Sequence, residues 1–229
     1  MEYNTPHCHK EASWVNGAGW IGSTILKANL SYNSISKLTD LSTHVYLLHL
    51  NLDHNQLTTI TGLSSCLHLE YLSIAHNALT STKGVHGLKI TELILHHNKI
   101  SSLVELETCP YLSKVDFSYN AITGVEDLYA CKGVQTINLS GNPIRKLMTL
   151  NGLQACKLLS ELSLNATPLT KKEHYRPNVL VRLPNLTVLD EIVASSKERV
   201  SAYHMFGGDL EVGVFRFYLN YNLNFLKHQ

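Results

Sequence analysis

The segment Leu47–Leu57 reads LLHLNLDHNQL, and its apolar residues follow a fixed pattern. Leucine occupies positions 47, 50, 52 and 57, and asparagine occupies position 55. The same pattern returns along the chain at intervals of 22, 22, 21, 22 and 22 residues. Its copies are marked by six asparagines: Asn33, Asn55, Asn77, Asn98, Asn120 and Asn142. A period near 22 residues predicts a stack of similar structural units.

Each position of the pattern has a physical role. Leu50 and Leu52 are two residues apart, so in a strand both side chains point to one side and pack in a core. The asparagine follows the strand, where its amide can bond backbone groups that the turn leaves unpaired. A seventh copy carries Thr167 at this position, and its apolar residues are Leu159, Leu162, Leu164 and Leu169. Because one unit cannot bury its apolar side alone, stability requires stacked neighbours.

The second half of each unit is apolar at every third residue. In the second unit the apolar positions are Leu57, Ile60, Leu63, Cys66 and Leu69. A step of three predicts 3₁₀-like segments on the outer side of the stack. The sixth unit is three residues longer, which is one whole step, so its inward positions keep their phase.

Four cysteines lie three residues before the first apolar position of the next unit: Cys66, Cys109, Cys131 and Cys156. We expect them to pack as small apolar residues, which disfavours a metal or redox role. Cys8 lies outside the units, between His7 and His9, and no second cluster at ligand spacing accompanies it. The sequence therefore predicts no metal and no other cofactor.

The pattern LxxLxLxxNxL is that of the leucine-rich repeat. The chain resembles the intracellular 22-residue class, which includes a regulatory subunit of protein phosphatase 1. Leu72–Asn77 (LSIAHN) and Lys197–Ala202 (KERVSA) are similar to the repeat domain of the leucine-rich-repeat and guanylate-kinase-domain family. The expected fold is α/β, a right-handed solenoid or horseshoe. It has short parallel strands on the concave face, 3₁₀ or short helices on the convex face, and a helical C-terminal cap.

The ends of the solenoid need covers, because an uncapped stack exposes apolar core. We expect an N-terminal cap segment over 1–23, in which Trp14 and Trp20 supply the bulk, followed by seven repeats over 24–182. A C-terminal cap is expected over 183–206. There Ser195 and Glu198 form a capping-box pattern that predicts a short helix ending near Met205.

A tail follows over 207–229. Apolar and polar residues alternate in it from Gly213 to Phe225, which is strand periodicity. An added edge strand, an ordered extension and a segment that pairs only with a partner all fit this pattern.

Charge and composition narrow the class of partner. Lys and Arg number 19 against 18 Asp and Glu, so the net charge of +1 offers no electrostatic footprint for nucleic acid or an anionic membrane. No run approaches the roughly 20 apolar residues of a membrane span. Residues 1–10 lack the pattern of a secretory signal, and five cysteines without a CxxC pair favour a reducing compartment. We therefore expect a cytoplasmic protein that binds a protein partner, without nucleic acid or membrane.

The concave face is the expected binding surface, and its residues flank the strand leucines. The candidate protein-binding residues are Asn29, Tyr32, Asn51, Asp53, His54, His76, His96, His97, Asp116, Tyr119 and Asn138. The residues that precede the six asparagines should form a column, because neighbouring strands lie about 4.8 Å apart. They are Tyr32, His54, His76, His97, Tyr119 and Gly141.

Three interpretations stay open for this column. Its residues are simply tolerated beside the asparagine, or they anchor a protein partner through exposed rings. The third interpretation is a metal or pH-sensing site, although no carboxylate or cysteine set stands at ligand spacing.

No catalytic constellation is found. Asp53 and Asp116 lie in units too far apart to act as a carboxylate pair. The sequence also contains no nucleophilic-serine motif and no Gly-rich phosphate-binding loop. We expect a non-catalytic scaffold.

The resemblance implies a setting at a cilium, flagellum or other microtubule structure, with an axonemal or cytoskeletal partner. Two alternatives are a regulatory subunit that binds the catalytic subunit of protein phosphatase 1, and a truncated repeat domain of a guanylate-kinase-like protein.

Overall fold

The computed structural model describes residues 2–4, 24–38 and 41–207. Within them, short strands form one sheet in which every strand neighbours the next along the chain. The strands are β1 (Glu2–Asn4), β2 (Lys27–Asn29), β3 (His49–Asn51), β4 (Tyr71–Ser73), β5 (Glu92–Ile94), β6 (Lys114–Asp116), β7 (Thr136–Asn138), β8 (Glu161–Ser163), β9 (Val188–Leu189) and β10 (Ile192–Val193). Strands β1 to β9 are parallel, and β10 returns antiparallel to β9. The predicted leucine-rich-repeat solenoid is confirmed.

The strand register aligns equivalent leucines into one core. Leu50 pairs with Leu72, and Leu72 pairs with Leu93, in successive strands. All three side chains are completely buried, and the apolar cluster continues from Ile25 to Ala194. Burying a leucine side chain stabilises a fold by roughly 1.5–3 kcal/mol, so each repeat depends on the neighbours that cover it.

The asparagines form the expected ladder. The Asn98 amide donates to the carbonyl of Ile74 in the preceding repeat at 2.9 Å and to that of Leu95 in its own repeat at 3.1 Å. Its oxygen accepts from the Leu79 N–H at 3.0 Å. The same three-way bonding recurs at Asn55, Asn77, Asn120 and Asn142. Each asparagine therefore ties two repeats together.

The seventh repeat ends the ladder differently. Thr167 is buried, and its hydroxyl has no hydrogen-bond partner among the described residues. Asp190 from the C-terminal cap makes the hydrogen bonds at this junction instead. One oxygen of its carboxylate accepts from the Leu164 N–H at 2.6 Å, and the other accepts from the Tyr175 hydroxyl at 2.9 Å.

The convex side confirms the prediction from the three-residue step. The fourth to seventh repeats carry 3₁₀ helices at Leu106–Thr108, Glu126–Ala130, Leu147–Ala155 and Pro168–Lys171. In the second repeat the corresponding segment consists of single turns, such as the bond from the Cys66 N–H to the Leu63 carbonyl at 2.9 Å.

The four cysteines are buried on this side as reduced thiols, as expected. Burial raises the pKa of Cys131 to about 12 and those of Cys109 and Cys156 to about 11. A thiol that stays protonated is a poor nucleophile and a poor metal ligand, which agrees with a packing role. His44 stands at the equivalent place in the repeat before Cys66 and is also buried.

Two α-helices belong to the C-terminal end. Helix α1 (Tyr175–Arg182) lies in the segment assigned to the seventh repeat, and helix α2 (Ser196–Phe206) is the predicted cap helix. Ser195 is its N-cap, because its hydroxyl accepts from the Glu198 N–H at 3.2 Å. The Glu198 carboxylate accepts from the guanidinium of Arg176 at 2.5 Å, an ion pair that joins the two helices.

Several expectations concern residues outside the described ranges. They are residues 5–23 of the N-terminal cap, with Trp14 and Trp20, the His7–Cys8–His9 triplet, and the tail beyond Gly207. Within the described ranges, no helix combines the length and the apolarity that a membrane crossing requires.

Candidate functional site

The predicted column of rings lies at the carboxyl edge of the sheet. We call Tyr32, His54, His76, His97 and Tyr119 the ring column. Each of these residues stands three positions after the end of a strand and has a left-handed backbone, with φ between 52° and 56°. Because the following asparagine is held by the ladder, the same turn recurs in every repeat.

The rings of the column stack face to face. Neighbouring planes are inclined by 10° to 26°, and centroid distances lie between 4.1 and 4.5 Å. The successive distances are 4.2 Å for Tyr32–His54, 4.1 Å for His54–His76, 4.3 Å for His76–His97 and 4.5 Å for His97–Tyr119. They are close to the separation of strands in a sheet, about 4.8 Å, so the repeat spacing itself sets the ring spacing.

Gly141 ends the column because glycine carries no ring, and the Tyr119 ring lies over its Cα. Its φ is +70°, and a Cβ built there would lie 2.6 Å from the ring of Tyr119. Glycine therefore provides both the left-handed turn and the space into which the Tyr119 ring leans.

The ends of the column face solvent. Tyr32 is 74% exposed and Tyr119 is 52% exposed, whereas His54 and His76 between them are half-buried. A single exposed tyrosine is ordinary on a protein surface. Five rings held in one continuous stack form a surface that is already ordered before any partner arrives.

His96 adds a second imidazole beside the column. Its ring lies edge-on to His76 and His97, with centroid distances of 5.1 and 5.2 Å. Its Nδ1 atom is 3.0 Å from the Nδ1 atom of His97. Burial, followed by repulsion from the neighbouring imidazoles, lowers the pKa of His76.

The Asn and Asp candidates have a different role from the rings. Asn29, Asn51, Asp116 and Asn138 each accept a hydrogen bond from the backbone N–H two residues later, which closes the turn after the strand. Asp53 reaches the next repeat, where its carboxylate accepts from the Ser73 hydroxyl at 2.6 Å and from the Ala75 N–H at 2.7 Å. These side chains support the concave surface, and their contact with a partner stays a prediction.

The sequence did not predict a second row of side chains on the concave side. It holds the first residue of each strand, including His49, Tyr71, Glu92 and Lys114, aligned by the register. The rings of His49 and Tyr71 stack at 5.6 Å, and the Lys114 ammonium lies 2.6 Å from the Glu92 carboxylate. That contact raises the pKa of Lys114. The signal was present, because these residues immediately precede the second leucine of each pattern.

Comparisons with known proteins agree with this fold. A family model described as "Leucine-rich repeat" matches residues 120–213. Among curated proteins, the chain is similar to U2 small nuclear ribonucleoprotein A′ of Homo sapiens, 39% identical over 70 residues, or 31% of this chain and 28% of that protein. The same protein of Emericella nidulans is 35% identical over 75 residues, 33% of each chain. The matched part of this chain thus spans about a third of these relatives.

Among solved structures, internalin C2 of Listeria monocytogenes is similar, with a TM-score of 0.63 over 79% of this chain and 78% of that one. Its sequence identity of 19% makes this a likeness of fold alone. The asparagine ladder and the parallel sheet show a leucine-rich-repeat fold, and the family model that matches residues 120–213 agrees with it.

Proposed function

We propose that the chain is a non-catalytic scaffold that binds a protein partner through the ring column and the adjoining concave strands. The observation that carries this proposal is the continuous stack of five rings with exposed tyrosines at both ends. Tyrosine and other aromatic side chains are common anchors of protein interfaces.

The rigidity of the column supports this use. Binding costs free energy whenever side chains must be ordered, about 0.5–1.5 kcal/mol for each flexible one. Here the rings are held against each other and on a backbone tied by the ladder. A partner therefore meets a surface whose conformation is already selected, and more of the contact energy remains for affinity.

The electrostatics favour protein over nucleic acid as the partner. The net charge is +1, and the ring column consists of histidine and tyrosine and contains no lysine or arginine. Phosphate backbones are recognised mainly by clustered lysine and arginine. A cytoplasmic setting, including a ciliary or cytoskeletal one, remains part of this proposal and rests on the sequence resemblance.

The relatives favour a second candidate, a protein subunit of a ribonucleoprotein particle. The observation is the similarity to U2 small nuclear ribonucleoprotein A′ from several organisms, at 31–39% identity. The similarity covers about a third of each chain, so assigning the activity of the whole relative to this chain is a proposal. No relative reported above supports the phosphatase or guanylate-kinase alternatives.

The test replaces the two terminal rings of the column. Tyr32→Asn/Tyr119→Asn removes both rings and keeps a residue that tolerates the left-handed backbone. The matched control is Tyr111→Asn/Tyr129→Asn, since these tyrosines are also more than half exposed but lie outside the column. Each tagged full chain is used for affinity capture from cells, followed by quantitative mass spectrometry.

We expect the ring variant to lose its main partner about tenfold or more, as for interface anchors, while the control retains it. Equal recovery of the same partners by both variants, at unchanged circular dichroism, contradicts the proposal. Ribonucleoprotein subunits among the ring-dependent partners support the second candidate, and their absence removes it. Ring-dependent recovery of a phosphatase catalytic subunit would instead revive that alternative.

A further inference from the structure

Three imidazoles meet at one point beside the ring column. His76 comes from one repeat, and His96 and His97 come from the next. One ring nitrogen of each lies within 4.8 Å of the others, and the Nδ1 atoms of His96 and His97 are only 3.0 Å apart. Sequence spacing alone had argued against a metal here, because no carboxylate or cysteine accompanies the histidines.

The backbone beneath the three histidines is firmly held. The His76 N–H donates to the His96 carbonyl at 3.0 Å, and the His97 N–H donates to the Ser118 carbonyl at 3.0 Å. Asn77 and Asn98, which follow His76 and His97, are rungs of the ladder. The rings therefore extend from fixed points, and little backbone freedom is lost when they share a ligand.

We propose that His76, His96 and His97 bind one divalent transition-metal ion, of which zinc is the simplest case. This goes beyond scaffold function, because it is a property of the free chain. Imidazole nitrogens bind zinc at about 2.0–2.1 Å, and tetrahedral geometry then places ligand atoms about 3.3 Å apart. The His96 and His97 nitrogens already stand near this separation. Three protein ligands leave the fourth position to water or to a side chain of a partner.

Binding requires two changes in the cluster. The Nδ1 atoms of His96 and His97 lie 3.0 Å apart, so the ring that carries its proton on Nδ1 must change to the tautomer with the proton on Nε2 before both Nδ1 atoms can bind the ion. The His76 ring lies parallel to His97 at 4.3 Å, so it must rotate for its lone pair to converge on the ion. His76 is at the surface of the solenoid, where such a rotation disturbs the stack but leaves the core intact.

The buried thiols offer no competing site among the described residues. Cys66, Cys109, Cys131 and Cys156 lie in the core, whereas the three histidines lie at the carboxyl edge of the sheet. The negative charge of Asp53 close to His76 adds electrostatic support for a cation.

The experiment titrates Zn²⁺ into the full chain by isothermal calorimetry and compares four variants. His96→Gln and His97→Asn each remove one proposed ligand, and asparagine preserves the left-handed backbone at 97. His86→Gln is a control at an exposed histidine outside the column, and His68→Gln is a control at a histidine that stacks on Tyr46. Zinc held by His7, Cys8 or His9 is equal in all five proteins, so the difference between them reports the cluster.

We expect His96→Gln and His97→Asn to lose one equivalent of bound zinc, or to bind it at least about tenfold more weakly, while both controls match the wild type. Zinc should also raise the melting temperature of the wild type and of the controls more than that of the two ligand variants. Equal stoichiometry and affinity in all five proteins overturn the proposal. Because no partner is present, this result is independent of the capture experiment above.

Discussion

The histidines and tyrosines of the ring column occupy a backbone conformation that is usually left to glycine or asparagine. A left-handed residue with a side chain costs roughly 1–2 kcal/mol. Five successive repeats have this conformation at the ring column, with φ between 52° and 56°. The compensating contacts are the stacked rings above and the asparagine rungs that follow. The turn is therefore imposed by the repeat, and the identity of the ring is free to serve binding.

The rungs give the first stability prediction. Asn98→Ala leaves the Leu79 N–H without its partner and leaves the Ile74 carbonyl with only the longer bond from the Asn77 amide, 3.4 Å. A partly buried group left unpaired costs about 1–3 kcal/mol, so we expect a loss of roughly 2 kcal/mol in the free energy of unfolding. Urea denaturation followed by circular dichroism measures this loss. Lys99→Ala, at the exposed next position, is the control, and an equal effect of the two substitutions would contradict the ladder as a source of stability.

Among single residues, the sequence predicted the ladder but not the hydrogen bonds that the Asn and Asp side chains of the concave face make within the fold. A repeated asparagine at constant spacing has an evident common role. Whether Asp53 faces a partner or bonds Ser73 depends on how close the next strand lies, and that distance exists only in the folded chain. The first strand residues were overlooked for the same reason, since Glu92 and Lys114 become neighbours only through the register.

At the scale of elements, the C-terminal cap depends on one arginine of α1. The Arg176 guanidinium donates to the Glu198 carboxylate of α2 and to the carbonyls of Leu189 and Ile192 at 2.7 and 3.1 Å. Asp190 and Glu191 have positive φ and form the two-residue turn between β9 and β10. Arg176 thus covers the last edge of the sheet, which would otherwise offer unpaired carbonyls to another chain.

Arg176→Met tests this element. It keeps a long apolar stem and removes every one of these donors, so we expect a loss of about 2 kcal/mol and earlier proteolytic cleavage within α2. Arg182→Met is the matched control in the same helix, because the described bonds of Arg182 are to Asn178 within α1. If limited proteolysis and urea midpoints are the same for the two variants, the anchoring role of Arg176 is wrong.

The cap also shows which elements were predictable. Helix α2 was predicted from Ser195 and Glu198, because a capping box acts locally. Helix α1 was not predicted, since the repeat pattern was extended through its residues. Its signals were Pro177 in the first turn, where a missing N–H is tolerated, and the buried pair Tyr175 and Val179 at a spacing of four.

Across the whole molecule, the repeats share one core, and the buried thiols of its convex side respond to pH together. The thiols of the unfolded chain titrate near pH 9.0, and in the fold burial raises the pKa of Cys131 to about 12. A folded-state pKa above the unfolded value means that the folded chain holds protons which the unfolded chain releases. The buried thiols therefore contribute fully to the free energy of unfolding below pH 9, and this contribution is lost as the pH rises toward 11–12.

We therefore expect the free energy of unfolding to fall between pH 8 and pH 10.5, with Cys109, Cys131 and Cys156 contributing part of the fall. The variant Cys109→Ala/Cys131→Ala/Cys156→Ala should be less stable at pH 8, because it loses packed atoms, but should show a shallower decrease with pH. Urea denaturation at the two pH values measures both slopes. Tyrosines and lysines titrate in both proteins, so their effects cancel, and identical slopes would contradict the thiol contribution.

What the sequence by itself determined is the solenoid: the leucine and asparagine spacing specifies a repeating unit that is stable only when stacked, and the period of three specifies its convex side. These features are periodic and local, so they can be read without coordinates. The ring stack, its left-handed backbone and the meeting of His76 with His96 and His97 were decided by the tertiary structure. They depend on the distance between adjacent repeats, and residues about 20 positions apart in the chain acquire that distance only when the solenoid closes its core.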